Sequence, residues 1–231
     1  MNNIITIIKK QLIDTLKNKT VLIQFIMFPL LGIIMTKAIK IEGMPENFFV
    51  NLFATMYIGM APLTSVSAII SEEKEKNTLR VLLMADVSPI QYLLGIGSYV
   101  FSVCTLGGVI FCCLLNGVTN TQRVLFLAVM AVGIIASVML GAAIGVGSKN
   151  QMSATSVSVP VMMVFSFLPM LSMFNDKIEK VAKITYSEQI RILMSSLKNC
   201  ENHTENVVVI FINIVLFGIV FSVLYKKQGL T

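Results

Sequence analysis

Ser71-Glu-Glu-Lys-Glu-Lys-Asn-Thr-Leu-Arg-Val-Leu-Leu-Met-Ala-Asp-Val-Ser-Pro-Ile-Gln-Tyr-Leu-Leu-Gly95 is an island of charge between long apolar runs. Hydrophobic residues make up 55% of the 231 positions and charged residues 13%, against roughly 45–50% and about 25% in an average soluble protein. A helix needs about 20 mainly apolar residues to cross a bilayer core. Six such runs flank or follow the island, at 20–39, 47–70, 91–115, 123–147, 152–174 and 207–225. They are too long and continuous for barrel strands, which alternate apolar and polar over about ten residues. The expected fold class is therefore an all-α membrane protein: one transmembrane domain over 1–231, with six transmembrane helices and a charged helical connection, 71–90, between spans two and three. Little chain remains for a soluble domain, so any nucleotide-hydrolysing unit is expected on another polypeptide.

Upstream of the first span, Ile4, Ile8, Leu12 and Leu16 recur four apart while Lys9, Lys10, Asp14 and Lys17 take other faces. This is helical periodicity, and residues 3–17 are read as an amphipathic helix in the headgroup layer. The alternative is a plain extension of span one into water. The following run lacks a small-residue cleavage site and holds Pro29 and Gly32, so it reads as an uncleaved span and not a signal peptide.

The net charge of +6 fits the positive-inside rule better than nucleic-acid binding, and no nucleic-acid partner is expected. With the N-terminus inside, Lys9, Lys10, Lys17, Lys19, Lys74, Lys76, Arg80, Lys149, Lys226 and Lys227 fall on the cytoplasmic side. The short outer links hold Lys37, Lys40 and Arg123. Both termini are thus predicted cytoplasmic in a multi-pass plasma-membrane protein. The Lys-over-Arg and Ile/Asn-rich composition suggests a bacterial inner membrane. The outer segment 175–206 carries Ile178, Val181, Ile184, Ile190, Met194 and Leu197 at helical intervals. One or two short amphipathic helices are expected there, at a depth the pattern leaves open.

Within the spans, Pro29, Pro62, Pro160 and Pro169 each remove a backbone hydrogen bond, which lipid tolerates only where neighbours satisfy the freed carbonyl. Gly141-Ala-Ala-Ile-Gly145 offers a small-xxx-small face for close helix approach. It lacks the Gly-Lys-Ser/Thr ending of a phosphate loop. Cys104, Cys112 and Cys113 sit in an apolar run as small hydrophobes, and neither they nor His203 form a metal-ligand pattern. No run interior contains Asp, Glu, Lys, Arg or His. Proton-coupled pumping and intramembrane hydrolysis therefore have no residues to work with. The chain is not expected to be an enzyme: no catalytic, cofactor-binding or metal-ligating residue is assigned.

The charged stretch itself reads as a short helix and a turn. Asn77 and Thr78 can cap a helix, Leu79, Leu82 and Leu83 give it an apolar face, and Val87-Ser88-Pro89 breaks it before the chain re-enters the membrane. Glu73, Glu75, Thr78, Leu79, Leu82, Leu83, Val87, Ser88 and Gly95 together resemble the first cytoplasmic loop of ABC-2 type transporter permeases. That family's pattern is roughly Glu-x-Glu-x-Gly-Thr-Leu-x-x-Leu-Leu, Pro-Val-Ser, then Gly-Lys. Asn77, Asp86 and Ile96 depart from it, in place of Gly, Pro and Lys. Asn tolerates left-handed backbone angles, so the turn is expected to survive.

The resemblance implies the permease subunit of an ATP-driven exporter of a hydrophobic or amphipathic substrate such as a peptide, toxin, lipid-like molecule or drug. The matched residues from Glu73 to Ser88 would couple to separate ABC ATPase subunits, which carry ATP and Mg. A second permease chain, identical or not, and membrane lipid would be the other partners. It further implies that spans two and five line the substrate path, with Thr55, Ser65, Ser156, Met162 and Met163 as candidates; helix packing by the same small polar residues is the alternative. A rival reading from another class is a membrane immunity or sensor protein that binds a toxic peptide without transporting it. Co-purification of an ATPase separates the two.

Overall fold

The computed structural model describes residues 2–17, 19–39, 43–79, 89–197 and 203–227. The described chain folds into helices: α1 (Asn2–Lys17), α2 (Lys19–Ala38), α3 (Phe48–Glu75), α4 (Pro89–Leu114), α5 (Asn120–Gly147), α6 (Gln151–Ser172), α7 (Asp176–Ala182), α8 (Tyr186–Ser195) and α9 (Thr204–Lys227), with the apolar runs forming the long ones. Among the described residues there is no strand. Five helices, α3, α4, α5, α6 and α9, are long and apolar enough to cross a membrane, and Leu22–Ala38 within α2 is a shorter apolar helix.

At the heart of the bundle lies α3, which packs against α2, α4, α5, α6 and α8. Its 28 residues measure about 42 Å at 1.5 Å per residue, some 12 Å more than a hydrocarbon core of about 30 Å. The surplus is the charged end. Nothing between Ile70 and Lys76 breaks a helix, so Ser71 to Glu75 continue α3 and do not form a separate loop as the sequence suggested. Asn77 then adopts a left-handed backbone, φ 55°, as one of the few non-glycine residues to do so. Its N–H reaches the Lys74 carbonyl at 3.1 Å, so it terminates α3 in the role usually taken by glycine. Thr78 and Leu79 are helical again, whereas Leu82, Leu83, Val87 and Ser88 lie outside the described residues.

The small face of α5 meets α3. A Cβ on Gly141 would overlap the Leu63 carbonyl oxygen, and one on Gly145 would lie 3.0 Å from the Ser67 oxygen. Backbones this close exclude any side chain between them. On its other side α5 carries α9, while α6 packs on α3 and α1 lies against α4 and α2. At the opposite end from the charged turn, Asn47 pins the start of α3 to the chain after α4. Its amide nitrogen donates to the Asn116 carbonyl at 3.0 Å and its oxygen accepts from the Asn116 N–H at 2.8 Å. Arg123 donates to the Cys112 and Leu115 carbonyls at 3.4 and 3.0 Å, closing the end of α4.

The outer segment is a helical hairpin that enters the bundle. Tyr186 stacks on Phe165 at 4.9 Å and meets Phe217 edge-on at 5.9 Å, and its hydroxyl lies 2.7 Å from Ser137 Oγ. Ser137 is about 26 Å along α5 from Asn120, and Phe217 about 20 Å along α9 from Thr204. The hairpin thus reaches the middle of the bundle. From there α8 climbs back until Gln122, at the start of α5, donates to the Leu197 carbonyl at 3.2 Å. Tyr186, Ser187, Glu188 and Ile190 are each 0% exposed.

Substituting Gly141 by Leu is expected to lower the melting temperature of the solubilised protein sharply, by about 2 kcal/mol or more of stability, as overpacking between rigid backbones does. Gly97, whose Cβ would meet only Val138 at 3.4 Å, should accept Ala with little change, measured in the same scan.

Candidate functional site

The last turn of α3 is a junction at which four other helices are held. Glu73 is buried, 6% exposed, and its Oε1 accepts from Lys10 Nζ and from Gln11 Nε2, the latter at 2.8 Å. Its Oε2 accepts from the Tyr92 hydroxyl at 2.5 Å. An ionised carboxylate removed from water is costly unless paired and hydrogen-bonded, and here a cation and two neutral donors meet that demand. Lys10 and Gln11 belong to α1 and Tyr92 to α4, so one carboxylate joins three helices.

The contact is prepared by complementary stripes. On α1, Ile7, Gln11 and Thr15 are buried at intervals of four. On α4, Tyr92, Ile96 and Tyr99 are buried, and Gly95 leaves the space that Ile7 fills, since a Cβ there would lie 2.9 Å from Ile7 Cγ2. This gives Gly95 a packing reason. It also docks α1 on the bundle through that stripe, with Ile5 and Leu12 left exposed.

The next two residues hold α5 and α6. Lys74 Nζ donates to the Val146 and Ser148 carbonyls at 2.8 and 2.7 Å, where α5 ends and its free carbonyls favour a cation. Glu75 Oε2 accepts from the Gln151 N–H at 2.9 Å, the first residue of α6, where free N–H groups favour an anion. Asn150 completes that end by accepting from the Ser153 N–H at 2.8 Å. Glu72 and Lys76 form an exposed pair one turn apart at 2.5 Å, and the carboxylate holds the Lys76 ammonium above the usual lysine range. Such surface pairs contribute little to stability.

The sequence-predicted site residues therefore separate. Glu75 and Lys76 are exposed at the junction and Thr78 is half-buried. Glu73 and Leu79, the latter 1% exposed, are covered by this chain itself and present no surface to a partner. Of the expected path residues, Thr55 and Ser65 are each 1% exposed, with hydroxyls donating to the Asn51 carbonyl at 2.8 Å and to Gln24 Oε1 at 3.4 Å. Both lie within the packed bundle and expose almost no surface of their own. Ser156 and Met163 are exposed and Met162 is half-buried, all on α6.

A second polar network runs through the middle of the bundle. Pro62 has no N–H and so leaves the Ile58 carbonyl without its helical donor. Ser137 Oγ fills the gap at 2.6 Å. Its single hydrogen is used there, so the Tyr186 hydroxyl is the donor to Ser137. Two residues on, Glu188 accepts from Arg191 Nε at 3.0 Å and Nη2 at 2.5 Å, and from Ser172 Oγ at 2.9 Å. A charge pair is thus carried into the bundle by α8, although no apolar run holds one. The sequence reading missed it. Its signal was the Glu188/Arg191 spacing of three among apolar neighbours, together with the donor that Pro62 requires.

These elements define a multi-pass helical membrane protein whose helices are tied together at one charged end. A family model described as ABC-2 family transporter protein matches residues 2–225. The chain belongs to the ABC-2 transporter family and is a transmembrane transport component; the immunity or sensor reading gains no support from this membership. Among curated proteins, none matches the chain.

Breaking the Glu188–Arg191 pair one partner at a time is expected to be costly. Glu188→Gln should destabilise by up to about 3–5 kcal/mol because the largely covered Arg191 guanidinium loses its counter-charge. Ser137→Ala should cost about 1–3 kcal/mol, the penalty for orphaning the Ile58 carbonyl and Tyr186 hydroxyl. Thermal unfolding in detergent measures both.

Proposed function

We propose that this chain is the permease subunit of an ATP-driven exporter, with a separate ABC ATPase engaging the connection between α3 and α4. The observation that carries the reading is the junction. The chain leaves α3 for the connection at the one turn whose side chains hold α1, α4, α5 and α6, so a push applied there reaches the whole bundle. Family membership supports the partner, since ABC-2 permeases normally work with ABC ATPase subunits. ATP and Mg are then bound on that partner, where the ATP is hydrolysed.

In this reading the charged end faces the cytoplasm, and α2 is the first of six spans. Its 20 residues measure about 30 Å, enough for a hydrocarbon core. α1 and the last turns of α9 lie at the charged end: α1 packs beside Glu73, and Leu224 of α9 reaches Gly147 at the end of α5. The lysine asymmetry of the sequence supports placing that end inside.

The transport path is assigned to the uncovered face of α6 and α7, shared with a second permease chain. Thr155 and Ser156 are exposed on α6, yet each hydroxyl donates to its own helix, to the Gln151 and Met152 carbonyls at 2.9 Å. With Met163, Val164, Phe167 and Leu171 also exposed, the face is apolar with muted polarity, suited to a hydrophobic or amphipathic cargo. On α7 the Glu179–Lys183 pair, 2.8 Å apart, is exposed with side chains 40% and 56% accessible. The adjoining Ile184 carbonyl accepts from Asn213 Nδ2 at 3.0 Å, about 13 Å down α9 from Thr204. Charges at such depth are tolerated beside water or another protein chain and not against acyl chains.

Two outcomes are expected. Leu83→Asp in the connection should abolish co-purification of the ATPase while the permease still inserts and folds; an intact complex would refute the assignment. In a cysteine-free background, Lys183→Cys should react with a membrane-impermeant maleimide at least about tenfold faster than Val215→Cys on the lipid-facing side of α9, as a water-filled face requires. Equal rates would place α7 against lipid.

A further inference from the structure

We propose that Glu73 is a positioning residue that makes α1 and the two ends of the connection a single moving body. This rests on the reading of the connection as the ATPase-facing element and goes beyond it by naming what transmits the movement. The connection leaves from the end of α3 and returns at the start of α4, and a displaced loop would ordinarily spread its two anchors independently. Glu73 prevents this. It belongs to the departing helix, and it accepts from Tyr92 on the returning helix and from Lys10 and Gln11 on α1.

The geometry also shows where the movement goes next. The contact of α1 with the rest of the chain is chiefly through α4, with a smaller contact to α2, and α2 begins two residues after α1 ends. A shift of α1 is therefore delivered to α2, which packs on both α3 and α4. Lys74 and Glu75 hold α5 and α6 by bonds to backbone groups at helix ends. Glu73 differs in holding side chains of two helices, so it can be released without uncapping either helix. Its burial matters as well, because water does not compete for the carboxylate and the three bonds are stronger than surface equivalents.

The test uses the full chain in lipid nanodiscs, with its native cysteines replaced and spin labels at Ile5→Cys on α1 and Met44→Cys before α3. In the wild-type background, adding ATP and Mg to the complex with the co-purified ATPase should change the distance between labels. Glu73→Gln should remove that change while the complex still forms, and the exchanged pair Lys10→Glu with Glu73→Lys should restore it. An undiminished change in Glu73→Gln would overturn the proposal. Hydrogen exchange of α1 amides in the permease alone gives a reading that needs no ATPase. Glu73→Gln should accelerate it at least about tenfold, and Tyr92→Phe by less, as loss of a charged hydrogen bond implies; unchanged exchange would overturn the clamp itself. Should the wild-type permease capture no ATPase, the function proposed above fails, and the exchange result decides separately whether Glu73 holds α1.

Discussion

A carboxylate that leaves water must find donors, and the rest of the charged end is arranged around that demand at Glu73. Had α3 stopped at the membrane surface, its acidic cluster would be solvated and each helix would end alone. Because α3 runs on for about two turns, Glu73 arrives between α1 and α4, and its neighbours arrive at the ends of α5 and α6. Lys74 and Glu75 have the charge signs that helix ends prefer, a cation on the terminal carbonyls of α5 and an anion on the first N–H of α6. One turn of helix thereby organises four others.

The middle of the bundle follows a similar logic with a backbone group in place of a charge. Pro62 frees a carbonyl where no water is at hand, Ser137 donates to it, and Tyr186 completes the serine. This brings the outer hairpin down to the centre of the molecule, with the Glu188–Arg191 pair just above. The two networks meet the same central helix, one at its proline and one at its end. A movement imposed on the end of α3 therefore has a rigid element through which to reach the hairpin that covers the opposite side.

The long helices were legible because apolar runs of membrane length have few alternatives, and Gly141 and Gly145 announced a close contact that α3 supplies. Asn77 was legible as a tolerated stand-in for glycine. The partners of Glu73 were not, because Lys10 and Gln11 are more than 60 positions away and nothing local distinguishes a solvated Glu from a buried one. For the same reason Thr55 and Ser65 read as path residues: composition does not say which face of a helix is covered. The depth of the hairpin escaped as well. The helical pattern left it open, and Tyr186 and Glu188 are carried inward with their own partners.

If an ABC ATPase acts on this permease, it does so at the turn that ends α3. A photo-crosslinking residue placed at Lys76, exposed beside the junction, tests it in intact cells, with the same residue at Met44 on the opposite end as comparison. An adduct with a nucleotide-binding ABC ATPase is expected from position 76 and none from position 44. An ATPase adduct from position 44, or none from position 76 in cells that make both proteins, would contradict it.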